Sequence, residues 1–164
     1  MSSSFESIPL ISPLKKALMK LNFTSMTPIQ EVAIPIILDG KDLIAQASTG
    51  TGKTLAFSLG VLQNINPKNK ETQAIIICPT RELSEQVAQV LRSLASDIGN
   101  VKVLTLCGGL PMKGQIHSLK HGAPIIVGTP GRLLRLLKID ALNLGNCSKI
   151  VLDEADRMID MGFI

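Results

Sequence analysis

The chain has 164 residues, of which 45% are hydrophobic, 17 are basic and 13 are acidic, which gives a formal net charge of +4. This composition suits one globular domain with a sizeable core and gives no sign of a disordered or fibrous chain. No apolar run approaches the ~20 residues that cross a bilayer, and the first six residues lack the layout of a signal peptide. We therefore expect a soluble, cytoplasmic protein that does not enter a membrane.

The side-chain inventory limits the partners and cofactors of the chain. With no Trp or Tyr and only 4 Phe, a surface that stacks bases is disfavoured, so a nucleic acid would be held through its backbone. The odd number of cysteines (Cys78, Cys107 and Cys147) argues against a disulfide framework, and we expect the first two to be buried thiols. His117 and His121 lack a third ligand, which favours a solvated helix face over a metal site.

Helices and strands alternate along the predicted chain. The helices are predicted at 12–21, 27–39, 55–62, 82–98, around 116–119 and at 133–137, and the strands at 42–46, 74–78, 101–106, 125–127 and 150–152. The second helix begins at Thr27-Pro28, places Ile29, Val32 and Ile36 on one face, and should be kinked or split by Pro35. We divide the chain into a helical segment, 1–40, packed on a sheet-containing segment, 41–164.

The predicted strands are continuous apolar runs, which is typical of an α/β fold with a mainly parallel sheet flanked by helices. Ligands of such sheets bind outside the carboxyl ends of the strands. Every polar cluster of the sequence follows a predicted strand, so all of them should line one edge of the sheet. These clusters are residues 47–54, 79–82, 108–109, 129–132 and 153–156.

The first of these clusters has the pattern of a phosphate-binding loop. It is Ala47-Ser48-Thr49-Gly50-Thr51-Gly52-Lys53-Thr54, between a predicted strand and a predicted helix. Glycines let several backbone N–H groups converge on one phosphate at a helix N-terminus, Lys53 adds a charge, and Thr54 adds a hydroxyl that can ligate Mg²⁺. The general pattern begins with Gly where this chain has Ala47, so a plain glycine-rich turn is the alternative.

Two adjacent carboxylates follow the last predicted strand. Asp153 can hold a metal ion, usually through water, and Glu154 can orient or deprotonate an attacking water molecule. Alone, Asp-Glu-Ala-Asp could be the solvated start of a helix, where acidic residues are favoured. Together with Gly52-Lys53-Thr54, it indicates hydrolysis of a nucleoside triphosphate.

In this order, the motifs resemble the first RecA-like P-loop domain of the DEAD-box ATP-dependent RNA helicases, from Phe5 to the end of the chain. Ala is the usual first residue of this family's phosphate loop, which removes the mismatch at Ala47. The resemblance implies ATP and Mg²⁺ as cofactors, with Thr54 and Asp153 at the metal and Lys53, Asp153 and Glu154 in catalysis. It implies that residues 47–54 bind ATP together with an upstream adenine motif in which Gln30 bonds the adenine edge. The upstream residues of the expected adenine site are Phe5, Phe23, Ser25 and Gln30.

The resemblance also implies that three motifs bind the sugar–phosphate backbone of one RNA strand. The expected RNA-binding residues are Pro79, Thr80, Arg81, Gly108, Gly109, Thr129, Gly131 and Arg132. Arg81 and Arg132 suit phosphates, and such contacts carry no base information. For both arginines the alternative is helix capping or an internal salt bridge. Asp156 is expected to couple the ATP site to the rest of the enzyme.

Residues 78–83, 104–109 and 156–163 resemble most the bacterial branch that acts on large-subunit ribosomal RNA, the DbpA type. Ribosomal RNA and a second RecA-like domain are therefore expected partners. The family's Ser-Ala-Thr motif, whose strand lies between the phosphate-loop strand and the aspartate strand in related folds, does not occur in these 164 residues. We expect the chain alone to be an incomplete domain that is poorly stable and inactive. The alternatives are a non-catalytic nucleotide- or RNA-binding module and, disfavoured by the adenine motif, a DNA translocase.

Overall fold

The computed structural model describes residues 3–163. After a 3-10 turn at Phe5–Ser7, its helices are α1 (Ser12–Lys20), α2 (Pro28–Leu38), α3 (Lys53–Gln63), α4 (Arg81–Leu94), α5 (Met112–Lys120), α6 (Pro130–Lys138) and α7 (Ala155–Asp160). The strands are β1 (Ala74–Ile77), β2 (Val103–Leu106), β3 (Ile125–Gly128) and β4 (Lys149–Leu152). None of the helices within residues 3–163 is long and apolar enough to span a membrane.

The chain forms two compact units. The first comprises Met1–Ile65 and Val90–Asn100, and the second comprises Asn66–Gln89 and Val101–Ile164. Residues 1, 2 and 164 lie outside the described part of both units. The division predicted at residue 40 stays a prediction.

The second unit contains a parallel sheet of four strands in the order β2-β3-β1-β4. The strands end level with one another, because Gly128 lies opposite both Ile77 and Leu106, and Leu152 lies opposite Ile77. Ile76 and the side chains of residues 125–127 are fully buried, as expected for strands covered on both faces. The predicted parallel α/β architecture is confirmed.

One face of this sheet carries the main apolar cluster of the second unit. Its buried members are Ile75, Leu106, Ala123, Ile126, Leu133, Leu136 and Leu142. Partly buried residues of α5, among them Ile116 and Leu119, pack against the same cluster. Helices α5 and α6 therefore cover this face, and they fix the loops that precede and follow them.

The predicted strand at 42–46 does not form. Residues 41–48 have no regular secondary structure, and Ile44 is 100% exposed. A strand is stable only when its backbone N–H and C=O groups are paired, and the sheet order includes no neighbour for this segment. The apolar pattern of the segment was correct for a strand, but among residues 3–163 no partner strand pairs with it.

The outer strand β4 is also only partly covered. Within the described residues it pairs with β1 and with no second strand. Its side chains Ile150 and Leu152 are 68% and 50% exposed. This exposure is consistent with the gap expected beside β4, the strand that precedes the acidic motif.

In the first unit, α2 packs against α3, but not with the face that periodicity predicts. It buries Gln30, Ala33 and Ile34, whereas Val32 is 63% exposed, so the predicted face was wrong. The helix is also continuous through Pro35, and the predicted split does not occur. The polar residue Gln30 is buried because its amide is hydrogen-bonded, which a pattern of apolar residues cannot reveal.

The apolar cluster of the second unit predicts a strong contrast between two leucines of α6. Leu136 is 0% exposed and Leu134 is 51% exposed. We expect Leu136→Ala to lower the free energy of unfolding by about 2–5 kcal/mol, because it leaves a cavity, and Leu134→Ala to change it by about 0.5 kcal/mol or less. Urea denaturation of both variants checks this, and equal losses would contradict the assigned packing.

Candidate functional site

The phosphate-type loop in the first unit has the backbone that its glycines permit. Gly50 and Gly52 adopt left-handed conformations with φ of 81° and 92°, and α3 begins directly after them at Lys53. A Cβ at Gly50 would have no atom within 4 Å, so the loop is open there. Open backbone at a helix N-terminus is the arrangement that suits an anion.

The charged side chain of this loop is folded back on the loop itself. Lys53 Nζ donates to the carbonyl oxygen of Ala47 at 2.6 Å, and Thr51 Oγ1 donates to that of Ser48 at 2.6 Å. A carbonyl is a weaker partner for an ammonium group than a phosphate, because charge-assisted bonds between two ions are the stronger kind. Lys53 is therefore held at the loop by its bond to the Ala47 carbonyl, and an anion can take the place of that carbonyl.

Two residues at the start of α2 are bonded to the same loop. Gln30 Nε2 donates to the carbonyl oxygen of Gly52 at 3.1 Å, and Thr27 Oγ1 donates to that of Thr51 at 2.7 Å. Gln30 Oε1 accepts from the backbone N–H of Thr27 at 2.9 Å, and the Gln30 side chain is 3% exposed. The predicted adenine motif and the phosphate loop thus form one hydrogen-bonded assembly, in which Gln30 positions the loop backbone.

The upstream aromatic residues are also brought together. Phe5 is 3% exposed and meets Phe23 edge to face, with ring centroids 6.5 Å apart. The Phe5 N–H donates to the carbonyl of Thr24 at 3.1 Å, and Ser4 forms a bridge with Ser25. Phe23 and Ser25 are exposed, whereas Phe5 is buried and packs against Phe23. Their contact with a nucleotide stays a prediction.

In the second unit the level strand ends place four residues in one row. The N–H groups of Thr129, Cys78 and Asp153 donate to the carbonyls of Leu106, Gly128 and Ile77, respectively, at 3.2, 2.9 and 3.0 Å. Cys107 follows β2 in the same position. The motifs at the ends of these four strands therefore lie side by side, as predicted, whereas the fifth predicted member, residues 47–54, follows no strand of this sheet.

The motif after β1 contains two residues with structural roles and one exposed residue. Pro79 is buried, and Thr80 caps α4, since its Oγ1 accepts from the N–H of Leu83 at 3.2 Å. Arg81, the first residue of α4, is exposed. Of the three residues, Arg81 is the one that a ligand can reach most easily.

The glycine pair and the motif after β3 are joined by hydrogen bonds. The Gly108 N–H donates to Thr129 Oγ1 at 3.3 Å. Arg132 Nη1 donates to the carbonyl of Leu110 at 2.8 Å and to Gln115 Oε1 at 2.9 Å. The half-buried Arg132 thus has a structural role, but through neutral acceptors and not through the salt bridge or helix cap considered from the sequence. Gly108, Gly109 and Gly131 are exposed, and a Cβ at any of them would meet nothing within 4 Å.

The acidic motif after β4 contains a strained residue. Asp153 is 8% exposed, whereas Asp156 is exposed on α7. Glu154 has φ 52° and ψ 51°, a left-handed conformation that costs a non-glycine residue about 1–3 kcal/mol. Its carboxylate lies 3.5 Å from Arg157 Nη1. Strain of this kind clusters at functional sites, which suits the role expected of Glu154.

Two residues in the row of strand ends are buried cysteines, Cys78 and Cys107. Burial raises the pKa of Cys78 to about 12, the nearby negative charge of Asp153 adds to the rise, and a hydrogen bond with Ser84 opposes it. Burial likewise raises the pKa of Cys107. Both cysteines are fully buried and free, as predicted, and neither is a reactive thiolate.

Two buried polar residues that the sequence did not indicate, Gln115 and Ser84, contribute to these arrangements. Thr27, at the start of the helix that carries the predicted adenine residue Gln30, contributes through its hydroxyl, which is bonded to the phosphate loop. The sequence signal that could have indicated Gln115 and Ser84 is a polar residue at an otherwise apolar position of a helix. His117 and His121 are exposed, and no group of three or more potential metal-binding His, Cys, Asp or Glu side chains occurs in residues 3–163.

The hydrogen bond from Gln30 predicts a difference between two glycines of the loop. An alanine at either glycine is strained by the left-handed conformation, but a Cβ at Gly52 would also clash with Gln30 Nε2. We expect Gly52→Ala to lower the free energy of unfolding by about 1 kcal/mol more than Gly50→Ala, because it displaces a buried amide. Urea denaturation provides the comparison, and equal losses would show that the contact is unimportant.

The buried thiol predicts a loss of stability at high pH. An unfolded chain ionises Cys78 near its ordinary pKa of 9.0, whereas the folded chain retains the proton up to about 12. This contribution is therefore complete below about pH 9 and falls as the pH rises towards about 12, by at most about 1.4 kcal/mol per pH unit. Urea denaturation at about pH 8 and about pH 10.5 should give a smaller pH-dependent loss for Cys78→Ala than for the unmodified chain. An identical loss in both proteins contradicts the assignment.

Comparison with known proteins agrees with this arrangement. The chain is 49% identical over 162 residues to the ATP-dependent RNA helicase DbpA of Escherichia coli (strain K12), covering 98% of this chain and 35% of that protein. It is 46% identical over 164 residues to the DEAD-box ATP-dependent RNA helicase CshA of Bacillus subtilis (strain 168), covering 100% of this chain and 33% of that protein. The chain thus spans about a third of the length of these curated relatives.

Solved structures and a family model point the same way. The RNA helicase Prp28 of Chaetomium thermophilum, solved with ADP, matches with a TM-score of 0.89 and 40% identity over 98% of this chain and 40% of that one. A hypothetical ATP-dependent RNA helicase of Sulfolobus tokodaii matches with a TM-score of 0.86 and 34% identity over 94% of this chain and 44% of that one. The family model described as DEAD/DEAH box helicase matches residues 27–164. The chain therefore belongs to the DEAD/DEAH box helicase family and has its RecA-like fold.

Proposed function

We propose that this chain is the ATP- and RNA-binding half of an ATP-dependent RNA helicase that couples ATP hydrolysis to local unwinding of RNA duplexes. The observation that carries the proposal is the assembly of Thr27 and Gln30 with the loop at residues 51–52. It connects an adenine-type motif to a phosphate-type loop within one compact unit. The relatives named as ATP-dependent RNA helicases support the same reading.

In this proposal the first unit holds ATP. The backbone around Gly50 accommodates the phosphates, and the Lys53 ammonium leaves the Ala47 carbonyl to pair with them. The half-buried Thr54 is on the first turn of α3, where its hydroxyl suits Mg²⁺, an ion that prefers oxygen ligands. When bound, Mg²⁺ neutralises charge that develops on the phosphates. Residues 47–49 and 51–52 complete the loop, while Phe5, Phe23, Ser25 and Gln30 form the adenine side.

The carboxylates proposed to take part in hydrolysis belong to the acidic motif of the second unit. Asp153 would hold Mg²⁺ through water, and Glu154 would orient or deprotonate the attacking water molecule. The strained backbone of Glu154 and the burial of Asp153 support roles that need fixed side chains. The accessible Asp156 is proposed to couple hydrolysis to a second RecA-like domain.

The row of strand ends in the second unit is proposed to bind the backbone of one RNA strand. The exposed Arg81 supplies a charge, and the open glycines Gly108, Gly109 and Gly131 let backbone N–H groups approach phosphates. Thr80, Thr129 and Arg132 fix these turns and add donors, and the buried Pro79 shapes the first one. Ribosomal RNA in the cytoplasm is the proposed target, because the chain resembles the DbpA type.

Replacing Lys53 in the full-length protein tests the proposed RNA-stimulated ATPase activity. We expect Lys53→Ala to lower RNA-stimulated ATP turnover by about 10²-fold or more, because the variant loses a donor to the developing charge. The matched control is Lys41→Ala, since Lys41 is an exposed lysine paired only with Asp39 at 2.8 Å among its ion-pair contacts in residues 3–163. Steady-state phosphate release with and without RNA is the measurement.

The outcomes of this assay separate the candidate functions. Turnover that RNA does not stimulate, or that survives Lys53→Ala, contradicts the helicase proposal. Nucleotide binding without turnover by the whole protein would instead indicate a non-catalytic module. The 164-residue chain alone should hydrolyse ATP at least about 10³-fold more slowly than the whole protein, since arginine fingers of a second domain can contribute about 10³–10⁵ in rate.

A further inference from the structure

A buried glutamine lies between the two turns proposed to bind RNA. Gln115, on α5, is 7% exposed, and both ends of its amide are bonded. Its Nε2 donates to the carbonyl of Cys107 at 3.0 Å, and its Oε1 accepts from Arg132 Nη1 at 2.9 Å. One side chain therefore connects the end of β2 with the first turn of α6.

These bonds enclose the turn that carries the glycine pair. Arg132 also donates to the carbonyl of Leu110 at 2.8 Å, so the turn is fixed on one side at Cys107 and on the other at Leu110. Between them, the Gly108 N–H has a longer bond of 3.3 Å to Thr129. Glycine backbone has more conformational freedom than any other, so its geometry depends on such external contacts.

Burial of an amide is costly unless both of its ends are paired. The residues of α5 that pack against the main apolar cluster are Met112, Ile116 and Leu119, and Gln115 is not among them. Gln115 is thus a poor choice for packing alone. Its bonds are directed entirely to the two turns, and it makes no described bond to Asp153 or Glu154.

We infer that Gln115 is a positioning residue for RNA binding, which holds the Gly108–Gly109 turn at a fixed separation from the Thr129–Arg132 turn. A single RNA strand presents its phosphates at regular intervals, and two turns that are already spaced to match them pay less conformational entropy on binding. Gln115 acts through its neighbours and does not touch RNA itself. The inference rests on the proposed RNA-binding function.

The test compares Gln115→Leu with Gln89→Leu in the protein as its gene encodes it. Gln89 is exposed on α4, so its replacement controls for the loss of a glutamine. Fluorescence anisotropy with labelled oligouridine and a non-hydrolysable ATP analogue measures RNA affinity, and a fluorescent ADP analogue measures nucleotide affinity. We expect Gln115→Leu to weaken RNA binding about tenfold, while nucleotide affinity changes by about twofold or less.

The salt dependence of RNA binding adds a readout that simple loss of stability does not move. If one phosphate contact is lost with the spacing of the turns, the slope of log Kd against log salt should fall by about one unit for Gln115→Leu. Gln115→Glu is the second variant, since it retains the acceptor for Arg132 and loses the donor to Cys107. It should have an intermediate RNA affinity, and it replaces the leucine variant if that protein does not fold.

Each outcome has a distinct meaning. If the unmodified protein does not bind oligouridine, the proposed RNA-binding function and this inference both fail. If it binds and Gln115→Leu matches Gln89→Leu, only the inference is overturned. It is also overturned if RNA affinity, nucleotide affinity and Tm fall together, or if neither Gln115 variant folds, because the residue would then serve stability alone.

Discussion

The register of the parallel sheet is the constraint on which the second unit depends. Because Ile77, Leu106, Gly128 and Leu152 are aligned, the chain leaves all four strands at one level. The backbone ladder continues for one more bond between neighbouring strands, through the N–H groups of the residues that follow. Motifs that are up to about 75 residues apart in the chain thereby become neighbours, which is the usual way in which parallel sheets build a binding edge.

Register brings the motifs of the second unit together but does not fix glycine-containing loops, and a buried glutamine does so in each unit. Gln30 holds the loop at Gly52 in the first unit, and Gln115 holds the turn after Cys107 in the second. In both, the amide donates to a backbone carbonyl, while its oxygen accepts from a further group. Glycine has no side chain that could fix its own turn, so in both loops a glutamine of a neighbouring helix bonds to the backbone.

The sequence was sufficient for features that depend on apolar patterns and on local turn chemistry. The apolar runs at β1 and β3 predicted buried parallel strands, and the polar clusters after them predicted the edge. It was insufficient where stability depends on a distant partner. The segment at 42–46 has the composition of a strand but no neighbour in the sheet, and α2 buries Gln30 in place of Val32 because a hydrogen bond compensates the amide. Periodicity counts apolar residues and cannot detect either effect.

Charged residues of the two units are held differently from the glutamines. Lys53 is bonded to a carbonyl of its own loop, and Glu154 is paired with an Arg157 side chain that is 55% exposed. An exposed ion pair of this kind contributes only about 0–1 kcal/mol to stability, so a ligand can replace either partner at small cost. The buried amides are not replaceable in this way, because removing one leaves unpaired polar groups in the interior. In each unit a buried amide therefore fixes the glycine-containing loop, whereas Lys53 in the first unit and Glu154 in the second are held by bonds that are easier to exchange. In the proposed binding of an anion at the phosphate loop, Lys53 exchanges its carbonyl partner for the anion without the cost of ordering the loop.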